Sequence, residues 1–119
     1  MKSYKELDPW LKSRVLVKKV YQLSKKLPAD ERYGLISQIR RCSVSVPANI
    51  AEGLGRNTNK DTIQFLHVSR GSLYELETQL ILCCDLEYIS EKESNTINDE
   101  INSCCMVLNG LISYFERKK

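Results

Sequence analysis

The 119-residue chain is poor in loop punctuation and in the residues that do chemistry. Five glycines and three prolines are too few for long irregular connections. His67 is the one histidine and lacks ligand-spaced partners, and no CxxC spacing occurs, so a zinc-finger arrangement lacks its parts. No apolar run nears the ~18 residues of a membrane span. The opening MKSYKELDPWLKSR has no apolar stretch of signal-peptide length. Low-complexity tracts and internal repeats are missing as well. These absences predict one soluble, cytoplasmic domain over residues 1–119, with no membrane partner.

What the chain has is a core and an uneven charge. Hydrophobic residues make up 42%, enough to fill a small domain. Five cysteines occur, Cys42, Cys83, Cys84, Cys104 and Cys105. Adjacent helical residues diverge by about 100°, so neither cysteine pair forms a chelating face by itself. A Cys83/Cys104 metal site across two helices is the one arrangement left open; reduced, buried thiols acting as small apolar residues are the favoured reading. Net charge is +3, but residues 1–27 carry eight lysines and arginines against two acids, while residues 58–119 are net acidic.

Four segments have helical spacing. Asp8 as N-cap and Pro9 in the first turn open a helix to Leu27, where Leu27-Pro28 ends it. Its apolar side is Trp10, Leu11, Val17, Val20, Tyr21, Leu23 and Leu27. A second helix is expected from Ala29–Glu31, with Tyr33, Ile36, Ile39, Ser43, Val46, Ile50 and Leu54 at three- and four-residue steps and Gly53 and Gly55 ending it. Thr58-Asn59-Lys60-Asp61 resembles a capping box for a third helix. Its seam is Leu66, Leu73 and Leu80, with Phe65, Leu76 and Cys83. Gly71 in its middle suggests close approach of a neighbour. QLILCCDL, residues 79–86, is apolar nearly all round and suggests burial on more than one side. Ser90-Glu91-Lys92-Glu93 is a second capping box. It opens a fourth helix with Ile97, Ile101, Cys104, Leu108, Leu111 and Phe115 on one face and Arg117, Lys118 and Lys119 at its C-terminal end. The fold class is all-α, an antiparallel up-down four-helix bundle.

The segment RRCSVSVPANIAEGLGR, residues 40–56, looks at first like a strand. A nucleophilic Ser43 or Ser45 would need a base and a GxSxG-type turn, and neither is present. EGLGR matches neither phosphate-binding glycine pattern, although Arg56 beside it is a weak phosphate candidate. The third reading is a helix kinked at Pro47, where the lost N–H displaces the Ser43 carbonyl and Ser43, Ser45 or Asn49 supplies a hydrogen bond. Small residues Ser43, Ser45, Ala48 and Ala51 then admit a neighbouring helix. This reading is adopted.

Two sets of residues are familiar together: Leu35-Ile36-Ser37-Gln38-Ile39-Arg40-Arg41 with Ser43-Val44-Ser45-Val46-Pro47-Ala48-Asn49-Ile50-Ala51-Glu52-Gly53, and Phe65-Leu66 with Gly71-Ser72-Leu73-Tyr74-Glu75-Leu76-Glu77-Thr78-Gln79-Leu80. With Trp10, Leu27-Pro28 and Glu31-Arg32, they make the chain resemble, from about Trp10 to Leu111, the bacterial four helix bundle protein family. That family was first noticed as reading frames within intervening sequences of 23S ribosomal RNA genes and was misleadingly labelled a ribosomal S23 protein. The resemblance implies a ring-like homo-oligomer, a homopentamer. It also relates the chain to the accessory variability protein of diversity-generating retroelements, which binds a reverse transcriptase and nucleic acid through a basic surface. It implies no catalytic residue, cofactor or metal. The family's frequent alanines at the cysteine positions agree with small core thiols.

Lys5, Lys12, Lys19 and Lys26 are spaced by seven and form one helical stripe, with Lys18 and Lys25 beside it and Arg14 further round. Such a stripe can track phosphates, and a ring would repeat it. The plainer alternative is a solvated face. With Arg41 and Arg56, these lysines are the candidate RNA- or DNA-binding residues. No aromatic interleaving suggests base stacking. Candidate structural or assembly residues are Arg40, Pro47, Asn49, Glu52, Gly71, Glu75 and Glu77, with Arg40 or Arg41 expected to pair with Glu75 or Glu77 within or between protomers. The functional expectation is a non-enzymatic oligomer that binds nucleic acid or a nucleic-acid-processing partner. The rivals are a protein-only adaptor or scaffold, and an enzyme using His67 or the cysteines.

Overall fold

Apolar residues recurring at three and four positions can be buried together only on a helix, and each periodic segment forms one. The computed structural model describes residues 3–118. A 3₁₀ turn, Tyr4–Glu6, leads into α1 (Asp8–Ser24); a second, Ala29–Glu31, precedes α2 (Leu35–Leu54), which is followed by α3 (Asn59–Asp85) and α4 (Glu91–Arg117). No strand occurs among the described residues, so SVSV is helical, as the burial of Ser43, Val46 and Ile50 on one face requires.

The helix ends differ from expectation in instructive ways. Asp8 is the first helical residue and Leu7 the N-cap, without a side-chain bond. α1 stops at Ser24; Lys25, Lys26 and Leu27 donate to carbonyls three residues back, a tightened last turn. α2 begins later than expected. Glu31, read as an opening residue, instead caps the helix from outside: its Oε1 accepts from Leu35 N at 3.1 Å and its Oε2 from the Tyr88 hydroxyl at 2.9 Å. Tyr33 therefore falls in the connection, 89% exposed, and is no part of the apolar seam. Thr58 accepts from Asp61 N at 3.2 Å, one arm of a capping box; among the described residues only Ser90 and Glu93 complete both arms. Lys119 lies outside the described residues.

The directions follow from which residues meet. Cys42 donates to the Ser72 carbonyl and Ser69 to the Val46 carbonyl, while Thr62 donates to the Gly53 carbonyl, so α2 and α3 run antiparallel. Arg70 meets Asn109 and Tyr74 meets Cys105, which sets α4 against α3. Lys19 meets Glu100 and Lys26 meets Glu93, which closes α4 back on α1. α1 borders α2 and α4 but not α3. The result is a four-cornered bundle of 47 × 25 × 20 Å. Its core includes Leu16, Val20, Ile39, Val46, Ile50, Leu66, Leu73, Leu80, Ile101 and Leu108, each no more than 2% exposed.

The close helix approach expected at Gly71 is elsewhere. A Cβ on Gly71 would meet nothing within 4 Å, whereas one on Gly53 would lie 2.9 Å from Phe65 Cβ and 3.2 Å from the Thr62 carbonyl oxygen. Gly53 is thus the contact that lets the end of α2 press on the start of α3. The apolar end of α3 is buried on one side only: Leu80 and Cys83 face the core, and Ile81, Leu82 and Leu86 are 44–52% exposed. α2 runs through Pro47 without a break. Asn49 donates to the Ser45 carbonyl at 2.7 Å and Ser43 to the Arg40 carbonyl at 2.8 Å. Ser45 Oγ pairs with Ser72 Oγ on α3, so the side chains expected to serve the Ser43 carbonyl bond other groups instead.

Candidate nucleic-acid interface

The seven-residue lysine stripe splits once the bundle is closed. One edge of α1 turns toward α4, whose Glu93 and Glu100 are themselves seven apart. Running antiparallel, the two rows meet in register, and Lys19 pairs with Glu100 and Lys26 with Glu93. They span a groove of about 350 Å³ floored by Leu23 and Ile97 and flanked by Lys92 and Thr96. The Glu93 carboxyl is held well below its ordinary 4.5, first by the Lys26 ammonium and then by the Ser90 N–H of its capping box. Pairs this exposed stabilise little, but they use the charge of two stripe lysines.

Lys5, Lys12, Lys18 and Lys25 remain exposed and join no ion pair among the described residues. Arg14 lies over the Trp10 ring at 4.9 Å. Arg40 was expected beside Glu75 or Glu77. Within this chain it turns the other way: its Nε donates to Ser24 Oγ at 2.8 Å and its guanidinium sits 4.7 Å from the Tyr21 ring centre, clamping α2 to α1. Arg41 points toward α3, lining a small recess with Gln38, Cys42, Ser45, Ser72 and Glu75, without an ion pair to Glu75 or Glu77 among the described residues. Arg56 pairs with Glu52 at 3.4 Å and lies over Phe65 at 4.5 Å. The structure therefore gathers Lys5, Lys12, Lys18 and Lys25 on α1 and its leading turn, and leaves Arg41 and Arg56 on the α2/α3 side. The signal for the paired lysines was present in the sequence as the matching seven-residue spacing of Glu93 and Glu100.

The thiols do not assemble. Tyr74 lies opposite Cys105 and Arg70 opposite Asn109. That register sets Cys104 level with the Tyr74 turn, and Cys83 about eight residues further, ~12 Å along the axis. No group of three metal-ligating side chains occurs among the described residues. Burial pushes the Cys42 and Cys104 thiols up to about 12 and Cys83 to about 11. His67 is exposed. No helix among the described residues is long and apolar enough to cross a membrane.

An all-α chain of four antiparallel helices, with a basic α1 and no strand among its described residues, is a four-helix-bundle protein. A model of the family described as 23S rRNA-intervening sequence protein matches residues 5–110, and the chain belongs to that family. It is similar in structure to a protein of unknown function from the S23 ribosomal protein family of Bacteroides thetaiotaomicron VPI-5482. The TM-score is 0.80 at 26% identity, covering 87% of this chain and 97% of that one. No curated protein matches the sequence significantly.

Proposed function

We propose that the protein is a non-enzymatic oligomer that binds the phosphate backbone of RNA or DNA through Lys5, Lys12, Lys18 and Lys25. The observation that carries this reading is the segregation of charge. α1 and α2 together hold two carboxylates, Asp8 and Glu52, and Glu52 is paired with Arg56; the short turns beside them add Glu6, Asp30 and Glu31. The acids of α3 and α4 lie elsewhere, and those that reach α1 stop at Lys19 and Lys26. Unpaired ammonium groups release counterions from a phosphate chain and bind without reading sequence. Assembly as a homopentameric ring would multiply such weak contacts, and a nucleic-acid-processing enzyme such as a reverse transcriptase is the kind of partner it would serve. In the same reading Pro47 bends α2.

One observation favours a second reading, a protein-only adaptor. α3 exposes Val68, Tyr74, Ile81 and Leu82, and Leu86 just after it is exposed too, a face suited to protein contact, including self-assembly around Gly71. The test is fluorescence anisotropy of a labelled RNA hairpin and a labelled DNA duplex across a salt series. Beside wild type stands a variant with Lys12, Lys18 and Lys25 changed to Glu. Affinity that falls steeply with salt and is lost in the variant is the expected result. No binding at low salt refutes the proposal and leaves the adaptor.

A further inference from the structure

Folding brings cations and aromatic rings together on the α1/α2 side. Arg14, Lys18, Tyr21 and Lys25 are spaced by four, three and four and share one face of α1. Trp10, one turn before, carries Arg14 over its ring at 4.9 Å and meets Tyr4 edge-on at 5.3 Å. From α2, Arg40 adds its guanidinium to the Tyr21 ring at 4.7 Å. Where α1 hands over to α2, Arg32 is exposed and Tyr33 is 89% exposed. Tyr33 contributes almost nothing to the core, and its ring lies open in the connection between α1 and α2. The carboxylates of this side are Glu6 and Asp8 at the start of α1, Glu52, held by Arg56, and Asp30 and Glu31 just before Arg32 and Tyr33, of which Glu31 is engaged by Leu35 N and the Tyr88 hydroxyl.

We infer that this α1/α2 face is a binding surface for single-stranded nucleic acid. Lys18 and Lys25, with Arg14, follow the phosphates, and Tyr33 offers a stacking platform for an unpaired base. The inference rests on the nucleic-acid reading above and narrows it to one face and one ligand class. A duplex buries its base faces and offers Tyr33 nothing, so the cations alone would take either form of nucleic acid. An open ring favours the form whose bases are free, because every base has a face to stack. The opposite edge of α1 is excluded, since Lys19 and Lys26 already face Glu100 and Glu93.

The experiment uses fluorescein-labelled dT20 and rU20 against a 20-base-pair duplex, read by anisotropy over a salt series with the full chain. Three variants are compared, each checked for an unchanged circular-dichroism melt: Tyr33→Ala, the double Lys18→Ala/Lys25→Ala, and the double Lys19→Gln/Lys26→Gln. The expected result is single strands bound about tenfold or more tighter than duplex. Tyr33→Ala should weaken single-strand binding by about fivefold or more with the salt slope unchanged, because stacking carries no counterion. Lys18→Ala/Lys25→Ala should lower the slope by about 1.4, two phosphates at ~0.7 each. Lys19→Gln/Lys26→Gln should change neither. Duplex bound as tightly as single strand, or a Tyr33→Ala variant that binds like wild type, overturns this inference while leaving backbone binding intact. Absence of binding to any of the three probes overturns both.

Discussion

Three glycines in helices of the same bundle should not respond alike to the same substitution: Gly71 and Gly110 should gain stability where Gly53 loses it. A helical Gly costs about 0.8–1.0 kcal/mol relative to Ala. At Gly71 and Gly110 an added Cβ meets nothing within 4 Å, so Gly71→Ala or Gly110→Ala should recover most of that in the isolated protomer. At Gly53 the added Cβ would sit 2.9 Å from Phe65 Cβ and 3.2 Å from the Thr62 carbonyl oxygen. Both are anchored atoms that no side-chain rotation can withdraw, and the Thr62 hydroxyl bond to the Gly53 carbonyl at 2.7 Å shares the contact. Overpacking of this kind costs about 1–3 kcal/mol. Set against a propensity gain of up to ~1 kcal/mol, Gly53→Ala should destabilise by about 0.5–2 kcal/mol. For a chain of this length 1 kcal/mol moves the midpoint by about 3–5 °C. Thermal and urea unfolding followed by circular dichroism give the comparison directly. A Gly53→Ala protein as stable as Gly110→Ala would refute the close approach of α2 and α3. Gly71→Ala carries a second readout. If Gly71 lies at a contact between copies, the substitution should raise protomer stability yet shift the oligomer to smaller species in native mass spectrometry.

Iodoacetamide at pH 8 should label the half-buried Cys84 and Cys105 in the folded protein well before Cys42, Cys83 and Cys104; burial keeps those three thiols protonated, with values of about 11–12. Early labelling of Cys104 on peptide mapping would contradict its place in the core. The Glu93 carboxyl is lowered from 4.5 in the folded state, so its stabilising contribution is complete above that value and fades as pH falls through the folded value. Acid titration of Glu93→Gln should lack that component of the wild-type curve. The Tyr88 hydroxyl is shifted the other way, first because it donates to the Glu31 carboxylate. Its contribution is present below pH 10 and is lost as pH rises through the raised value. Tyr88→Phe should therefore flatten the alkaline limb of stability; an unchanged limb would show that the Glu31–Tyr88 bond does not hold the α3–α4 connection to the start of α2.

Most of the architecture was legible because it is periodic. Ile39, Val46 and Ile50, then Leu66, Leu73 and Leu80, then Ile97, Ile101, Cys104 and Leu108 are buried as their spacing demands. Ser90 and Glu93 make the capping box their spacing announces. The failures arise where a long-range contact overrides a local signal. Asp30 and Glu31 are good first-turn residues, yet the Glu31 carboxylate gains more as an acceptor for Leu35 N and Tyr88, and α2 starts later. A helical glycine signals a close approach, but Gly53 and Gly71 are indistinguishable until the partner helix is known. The apolar stretch ending α3 has no polar side in sequence, and the protomer still covers only the Leu80 and Cys83 edge.

The candidate site shows the same limit more sharply, because a helix face has no partner until the neighbouring helices are placed. Lys18 and Lys19 are adjacent in sequence and equal in charge. About 100° of rotation separates them, and that rotation sets Lys19 against Glu100 and leaves Lys18 in solvent. The same holds for Lys25 and Lys26 one heptad later. The sequence therefore offers all four lysines alike, without saying which are paired. The correct pair follows only when Glu93 and Glu100, with their own seven-residue spacing, are recognised as the complementary row on an antiparallel neighbour. Charge on α1 thus lies on two edges separated by about a quarter turn: one pairs with α4, and the other, alongside Arg14, Tyr21 and Arg40, carries no ion pair among the described residues. Removing the first pair should alter stability and its salt dependence while leaving ligand affinity alone. Removing the second should do the reverse, and a variant set that failed to separate these two effects would show that the edges do not act independently.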